Sequence, residues 1–331
     1  MLDAALPLRL ICVARYNRLM DTVILSACGD HRIAALRLLF ARFPEEEREV
    51  RLRDALAANE RGTLSLDHLL LAEGDRQPVG SALVMIQADG IALVWPPVIN
   101  DGTEAPSVIE DLLMREMCRR IDAGSVRLAQ CLLAPDDDVE SAVLTRHGFD
   151  RAADMYFLAR PITRADLVPS TDRSNDCVAV ESYQPENAER FAKLVEETYH
   201  GSLDCPYLNG IRTGQEAIAS HKLSGQFNAE RWVLYSVNGE DAGVLLLNDH
   251  PDQDAVELVY LGVAPHGRGR GLGRQMLRDG LSESARRGQA VMFLAVDCEN
   301  CFANSLYGEF EFTELARRQV MLRRGTGLAR Q

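Results

Sequence analysis

The chain has 331 residues, 47% hydrophobic and 26% charged; that balance is globular, with enough apolar residues for a sizeable core, and the length suggests about two domains. A formal net charge of −13 argues against a nucleic-acid partner and favours a cationic or amine ligand. The N-terminal apolar run is broken by Arg9 and has no small-residue cleavage site, and no apolar stretch approaches the roughly 18 residues of a membrane span, so a cytoplasmic protein with reduced thiols and no membrane partner is expected.

In chain order, LLLAEG (69–74) and VGSALVMI (79–86) read as a strand pair, and IALVWPPV (91–98) as the next strand. A helix over about 106–122 leads to VRLAQCLLA (126–134), apolar enough for a strand buried on both faces. A short helix then runs to His147-Gly148-Phe149, and DMYFLAR (154–160) closes the first half. Residues 163–177, in the run PITRADLVPSTDRSNDC, lack apolar periodicity and read as a linker between domains 1–162 and 178–331.

The second half repeats that order. VAVESY (178–183) is a strand, 185–199 an amphipathic helix, and GQEAIASHKL (214–223) a second helix. RWVLYSV (231–237) and DAGVLLLND (241–249) form a hairpin about Asn238-Gly239. AVELVYLGV (255–263) runs directly into a glycine loop, and a helix spans about 271–287. VMFLAV (291–296) reads as a strand buried on both faces, followed by a short helix from Asn300 and a final strand over 317–323. The fold class is therefore α/β, with mixed strands and helices around one sheet, twice over.

The loop HGRGRGLGRQML (266–277) alternates glycine with arginine just before a helix, a composition suited to holding a phosphate; a flexible surface turn is the plain alternative. The dinucleotide fingerprint G-x-G-x-x-G fails at every register, since Leu272, Arg274 and Met276 stand where the last glycine belongs, and no Gly-Lys-Ser/Thr closes a P-loop. Cys298 and Cys301 have C-x-x-C spacing, but no second pair completes a zinc site, so no metal is expected.

The stretch from Val263 through Arg268-Gly269-Arg270-Gly271-Leu272-Gly273, set between a strand and a helix, resembles the acetyl-CoA signature of the GNAT acetyltransferase superfamily. Asn300, Ala303, Leu306 and Tyr307 fit a second element of that family, N-x-x-A-x-x-L-Y. The resemblance covers about residues 176–325, and the two-domain layout is similar to that of the mycothiol synthases. It implies two tandem GNAT-like domains, with acetyl-CoA as cosubstrate, its pyrophosphate on the amides of residues 268–273 and its pantetheine arm along Leu261 and Val263. Asn300 and Tyr307 are expected at the same site. Arg268, Arg270 and Arg274 add positive charge to the loop.

Two catalytic residues follow from the resemblance. Glu257, six residues before Val263, is the expected base that takes the ammonium proton. Alternation would set it on one face with Val259 and Leu261; a solvent-facing strand carboxylate is the alternative. Tyr307 is the expected acid at the departing thiolate, with a core tyrosine as the alternative. His200, His221 and His266 are weaker candidates. Overlaying the halves sets Ala92 against Glu257 and Leu144 against Tyr307, and nothing in INDGTEAPSVIEDLL replaces the glycine loop. Glu311 departs from the glycine that the family prefers. The expectation is an N-acetyltransferase acting on a small-molecule amine or peptide acceptor, with a degenerate first domain; a non-catalytic acetyl-CoA-binding regulator or scaffold is the rival, and a homodimer is left open.

Overall fold

The computed structural model describes residues 15–16, 22–167, 178–208, 210–211 and 213–325. The expected linker from residue 168 onward lies outside them, as do Cys12 and Cys177. The chain forms two compact units, one of Met1–Arg151 with Met321–Gln331 and one of Ala152–Val320.

In the first unit the elements are β1 (Arg15–Tyr16), β2 (Val23–Ser26), α1 (Asp30–Leu39), α2 (Glu45–Glu60), β3 (Leu69–Gly74), β4 (Gln77–Ile86), β5 (Ile91–Ile99), α3 (Pro106–Ala123), β6 (Leu128–Leu133) and α4 (Asp138–Arg146). The strands pair in sequence order, antiparallel except for β5 with β6. One face of the sheet buries Leu113 and Met117 of α3, and the other buries Leu36 and Leu39 of α1. These first helices were missed by the sequence reading, although Ile33, Leu36 and Leu39 have helical spacing. β6 is not buried on both faces as expected: Leu132 is exposed while its neighbours Cys131 and Leu133 are buried.

The second unit holds β7 (Asp150–Pro161, entering it at Ala152), β8 (Val178–Ser182), α5 (Ala188–Thr198), α6 (Gly214–His221), β9 (Gln226–Val237), β10 (Glu240–His250), β11 (Ala255–Val263), α7 (Leu272–Arg286), β12 (Val291–Asp297), α8 (Cys301–Glu309) and β13 (Thr313–Arg324, in this unit to Val320). Its strand order is β13-β7-β12-β11-β10-β9-β8. The strand read as the last of the first half is thus β7, which pairs antiparallel with β12, Met155 to Asp297 through Pro161 to Val291. Asn238 and Gly239 both have positive φ, as a two-residue type I′ hairpin requires. Thr213 and Glu216 form a reciprocal capping box that starts α6.

Two packing layers sandwich this sheet. α7 and α8 bury Met276, Leu277, Leu281 and Tyr307 against Val256, Leu258, Met292 and Leu294. On the opposite face, α5 and α6 bury Phe191, Leu194 and Ile218 against Trp232, Val244 and Leu246. β12 therefore alternates: Met292, Leu294 and Val296 are buried, whereas Ala295 is exposed. The expectation of a strand buried on both faces is corrected by the opening beside Ala295.

Both units end their last short helix with the same turn. The Phe149 amide bonds the Leu144 carbonyl beside Gly148 (φ +83°), and the Phe312 amide bonds the Tyr307 carbonyl beside Glu311 (φ +63°). The left-handed position costs glycine nothing and a side-chain residue about 1–2 kcal/mol. Glu311 is exposed. Glu311→Gly is expected to stabilise the protein by about 0.5–1 kcal/mol, because the relieved strain exceeds the added freedom of the unfolded chain. A urea midpoint that does not rise would contradict this account of the turn.

Candidate active site

The site begins where two strands part. β11 and β12 pair in parallel at Ala255–Val291, Val256–Met292 and Glu257–Phe293, and no further. Past that point lies a cleft of about 490 Å³ between Leu258–Val263 of β11 and Ala295 and Val296 of β12. α8 contributes Leu306 and Tyr307 to its wall, the end of α5 contributes Thr198, and the segment after it contributes Asp204.

A bulge shapes the β11 wall. Leu246 stands opposite Tyr260 and Leu247 opposite Leu258, so Val259 is an extra residue. Alternation from Val256 and Leu258 would otherwise continue to Tyr260; the extra residue hands it to Leu261 and Val263, which face α7 and α8. Val259 and Tyr260 face α5 and α6. The expectation that Glu257 shares a face with Leu261 is corrected for this reason.

Glu257 stands at the closed base of the opening and is not on the cleft wall. Its Oε2 accepts from Ser224 Oγ at 2.5 Å and lies 2.9 Å from His250 Nε2. Tyr307 does line the cleft, and it is 7% exposed. Burial, with the charge of Asp204 as the lesser cause, pushes its phenol well above the ordinary value, so the hydroxyl is a donor throughout the neutral range. Its ring packs on Phe312 at 5.6 Å.

The glycine loop joins β11 to α7. Gly267 is favoured for space, since a Cβ would lie 3.1 Å from the Ala242 side chain and 3.2 Å from that of Val263, closer than ordinary contact. Gly269 and Gly271 must be glycine for conformation, with φ of +75° and +78°. A Cβ on Gly273 would meet Leu261, Val263 and Leu306 at 3.8 Å, inside the cleft. Among the described residues no side chain caps α7, which leaves the amides of its first turn, from Leu272 and Gly273 onward, for a ligand.

The arginines divide their work. Arg268 turns back: its Nε donates to the Val263 carbonyl at 3.0 Å, Nη1 to Gly201 at 3.3 Å and Nη2 to Thr198 at 2.9 Å. Arg274 pairs with Glu309 at 2.5 Å. Arg270 is exposed and, among the described residues, unpaired. Asn300 lines the cleft, but its side chain caps α8 by accepting from the Ala303 amide at 3.2 Å. Of the candidate histidines none lines the cleft; the His221 ring stacks on Tyr260, which does, and His266 faces Glu240 at 3.9 Å. Cys298 and Cys301 are free thiols.

The sequence reading missed Asp204, which carries no motif signal in its loop. Among the described residues no group of side chains could hold a metal ion, and no helix is long and apolar enough to cross a membrane. Arg268→Ala is expected to loosen both segments that its guanidinium joins. Amide exchange should rise about tenfold at Gly269–Gly273 and at 198–202 together, the scale of a lost charged hydrogen bond. Acceleration at only one of them would show that Arg268 does not couple the two.

Residues 196–312 match the model of the Acetyltransferase (GNAT) family. The chain is 25% identical over 250 residues to a mycothiol acetyltransferase from Stackebrandtia nassauensis, covering 74% of this chain and 79% of that one. It is also 25% identical over 202 residues to a mycothiol acetyltransferase from a Nocardioides species, covering 54% and 63%. The fold is similar to a GCN5-related N-acetyltransferase from Sphaerobacter thermophilus, with TM-score 0.58, 18% identity and coverage of 88% and 90%. It is likewise similar to a tandem GNAT protein of the clavulanic acid biosynthesis pathway, with TM-score 0.50, 13% identity and coverage of 92% and 98%. The second half of the chain thus carries the match to the Acetyltransferase (GNAT) family, and the fold of the whole is similar to that of a tandem GNAT protein.

Proposed function

We propose that the second unit is an acetyl-CoA-dependent N-acetyltransferase, which passes an acetyl group directly to a primary amine of a small molecule or peptide N-terminus while both substrates are bound. The observation that carries this reading is the opening between β11 and β12, which leads to the uncapped start of α7. Family members use acetyl-CoA, and the residues present fit it. Past Glu257 the β12 side of β11 lacks a strand partner, so its main-chain groups, at Leu261 and Val263, suit an extended pantetheine arm. The positive-φ glycines and the first-turn amides of α7 suit a pyrophosphate.

Bound acetyl-CoA supplies an activated acetyl thioester. The amides from Gly269 to Gly273 hold its phosphates, and Arg268 keeps that loop against the end of α5. Asn300 caps the helix that carries Tyr307, and Tyr307 donates its phenolic proton to the departing thiolate. Glu257, with Ser224 and His250 on the same oxygen, serves as the base one step removed from the cleft, through a hydroxyl or water relay. The first unit takes no part in catalysis. Its parallel strand pair sets Leu93, rather than Ala92, at the place of Glu257, and Leu144 stands at that of Tyr307. The relatives' name supports acetyl transfer.

The test uses the full chain. Calorimetry should find one acetyl-CoA site, and a panel of tyramine, spermidine, glucosamine, cysteine methyl ester and a free N-terminal peptide should release CoA with at least one member. Absence of acetyl-CoA binding rejects the reading. Gly273→Val should abolish binding while the fold survives, because its nearest contacts are ordinary ones at 3.8 Å that a bound pantetheine would share. Tyr307→Phe should lower kcat by about 10²–10⁴-fold with acetyl-CoA affinity unchanged. The phenol pKa is raised, so the proton is present below the ordinary value near 10 and lost only above it. The loss in the phenylalanine variant should thus be uniform from about pH 6 to 9; a loss that vanishes within that window would remove Tyr307 from the acid's role.

A further inference from the structure

The cleft wall holds one carboxylate that the roles above leave unused. Asp204 lies in the loop after α5 and lines the opening. Its loop is fastened to the end of β12 by a reciprocal pair of bonds. The Asp297 amide donates to Asp204 Oδ1 at 3.1 Å, and the Cys205 amide donates to Asp297 Oδ2 at 3.0 Å. Asn300 also donates to Asp204. Cys205 is buried and held at φ +40°, a conformation that a non-glycine residue keeps only where its surroundings enforce it. The carboxylate is therefore positioned firmly, close enough to Tyr307 for its charge to act on the phenol.

Asp297 is nearly inaccessible, at 2% exposure, and both its oxygens accept main-chain amides, from Cys205 and from Glu299. That satisfies it as a structural group. Asp204 differs. It faces the cleft, and among the described residues no arginine, lysine or histidine pairs with it. Burial raises its pKa, the mark of a carboxylate short of positive charge. A desolvated carboxylate gains most from a cation brought to it.

We propose that Asp204 is the acceptor contact of this cleft: its carboxylate receives the ammonium group of the amine substrate and sets it beside Tyr307. Leu203, which precedes it and is exposed on the same cleft, adds an apolar edge for the carbon adjoining the amine. This rests on the acetyltransferase reading above. It assigns amine recognition to a residue other than Glu257, which the cleft wall does not include.

The experiment compares full-length wild type with Asp204→Asn, using each panel amine that turns over. Asparagine keeps an oxygen for the Asp297 amide, so the loop bond can survive while the charge is lost. KM for the amine should rise about 10–100-fold, the range for a charge-assisted hydrogen bond, while the acetyl-CoA dissociation constant stays within about twofold. Asp204→Glu should recover part of the loss. A second measurement needs no variant. Wild type saturated with CoA, which has no acetyl group to give, is titrated with the active amine and its hydroxy counterpart, tyramine against 4-hydroxyphenethyl alcohol or glucosamine against glucose. The amine should bind at least about tenfold more tightly. Equal affinity for the two, or an unchanged amine KM in Asp204→Asn, overturns the proposal while leaving acetyl transfer intact. A wild type that binds acetyl-CoA but acetylates no amine overturns both.

Discussion

The second unit is organised by the end of one hydrogen-bond ladder. Three parallel pairs hold β11 to β12, and then the strands separate while each continues for several residues. Unpaired main chain inside a protein is costly unless something else satisfies it, so an opening of this kind is a standing demand for a ligand that is itself extended and rich in amides. The bulge at Val259 makes the opening usable. It returns Leu261 and Val263 to the α7 side and leaves Tyr260 facing α5, so the two walls of the cleft differ in character. The first unit stops its ladder at the same length, Ile91–Leu93 against Leu128–Gln130. There the strand continues into Pro96 and Pro97, which have no N–H to offer. The same architecture thus carries a donor-bearing edge in one unit and a donor-poor one in the other.

The glycine loop depends on this opening and on Arg268. A loop of alternating glycines is entropically expensive to hold in one conformation, and its positive-φ glycines border open space and supply no side-chain contacts of their own. Arg268 supplies them by reaching three carbonyls on two other segments. The arginine that looks in sequence like a phosphate contact is, in structure, a brace. Among the described residues Arg270 has no ion-pair partner, and Arg274 is tied to Glu309. Residue type alone could not separate these three, because the difference lies in which carbonyls or carboxylates fall within reach after folding.

Much of the fold was legible because its signals are local. β3 and β11 have the bounds that apolar runs between turn residues indicated, and the Asn238-Gly239 hairpin and the helices after residues 105 and 271 form as expected. The first two helices were overlooked: α2 begins Glu45-Glu46-Glu47-Arg48 and buries only Leu52, too weak a stripe to stand out. The assignment of β7 failed for a different reason. A strand's partner is a non-local property, and nothing in DMYFLAR tells it to lie beside β12. The site divides in the same way. The loop and Tyr307 were visible through spacing, whereas the face of Glu257 depended on a one-residue bulge that alternation cannot foresee.

The carboxylates around the opening differ chiefly in how their lone pairs are used, and that use is a better guide to role than position in a motif. Asp297 spends both oxygens on main-chain amides and so fixes the turn that leads into α8. Glu257 gathers a serine and a histidine on one oxygen, an arrangement that can pass a proton but keeps the group behind the wall. Asp204 accepts two neutral donors and faces the cleft, where among the described residues no cation pairs with it. Neutral hydrogen bonds can orient a buried carboxylate but cannot replace the counter-charge that water would have screened. The residue with the least conspicuous sequence context thus has the greatest unmet electrostatic need, and the same loop that holds it also carries the carbonyl of Gly201 on which Arg268 rests. Through that short segment the Asp204 side of the opening and the glycine loop are built on one another.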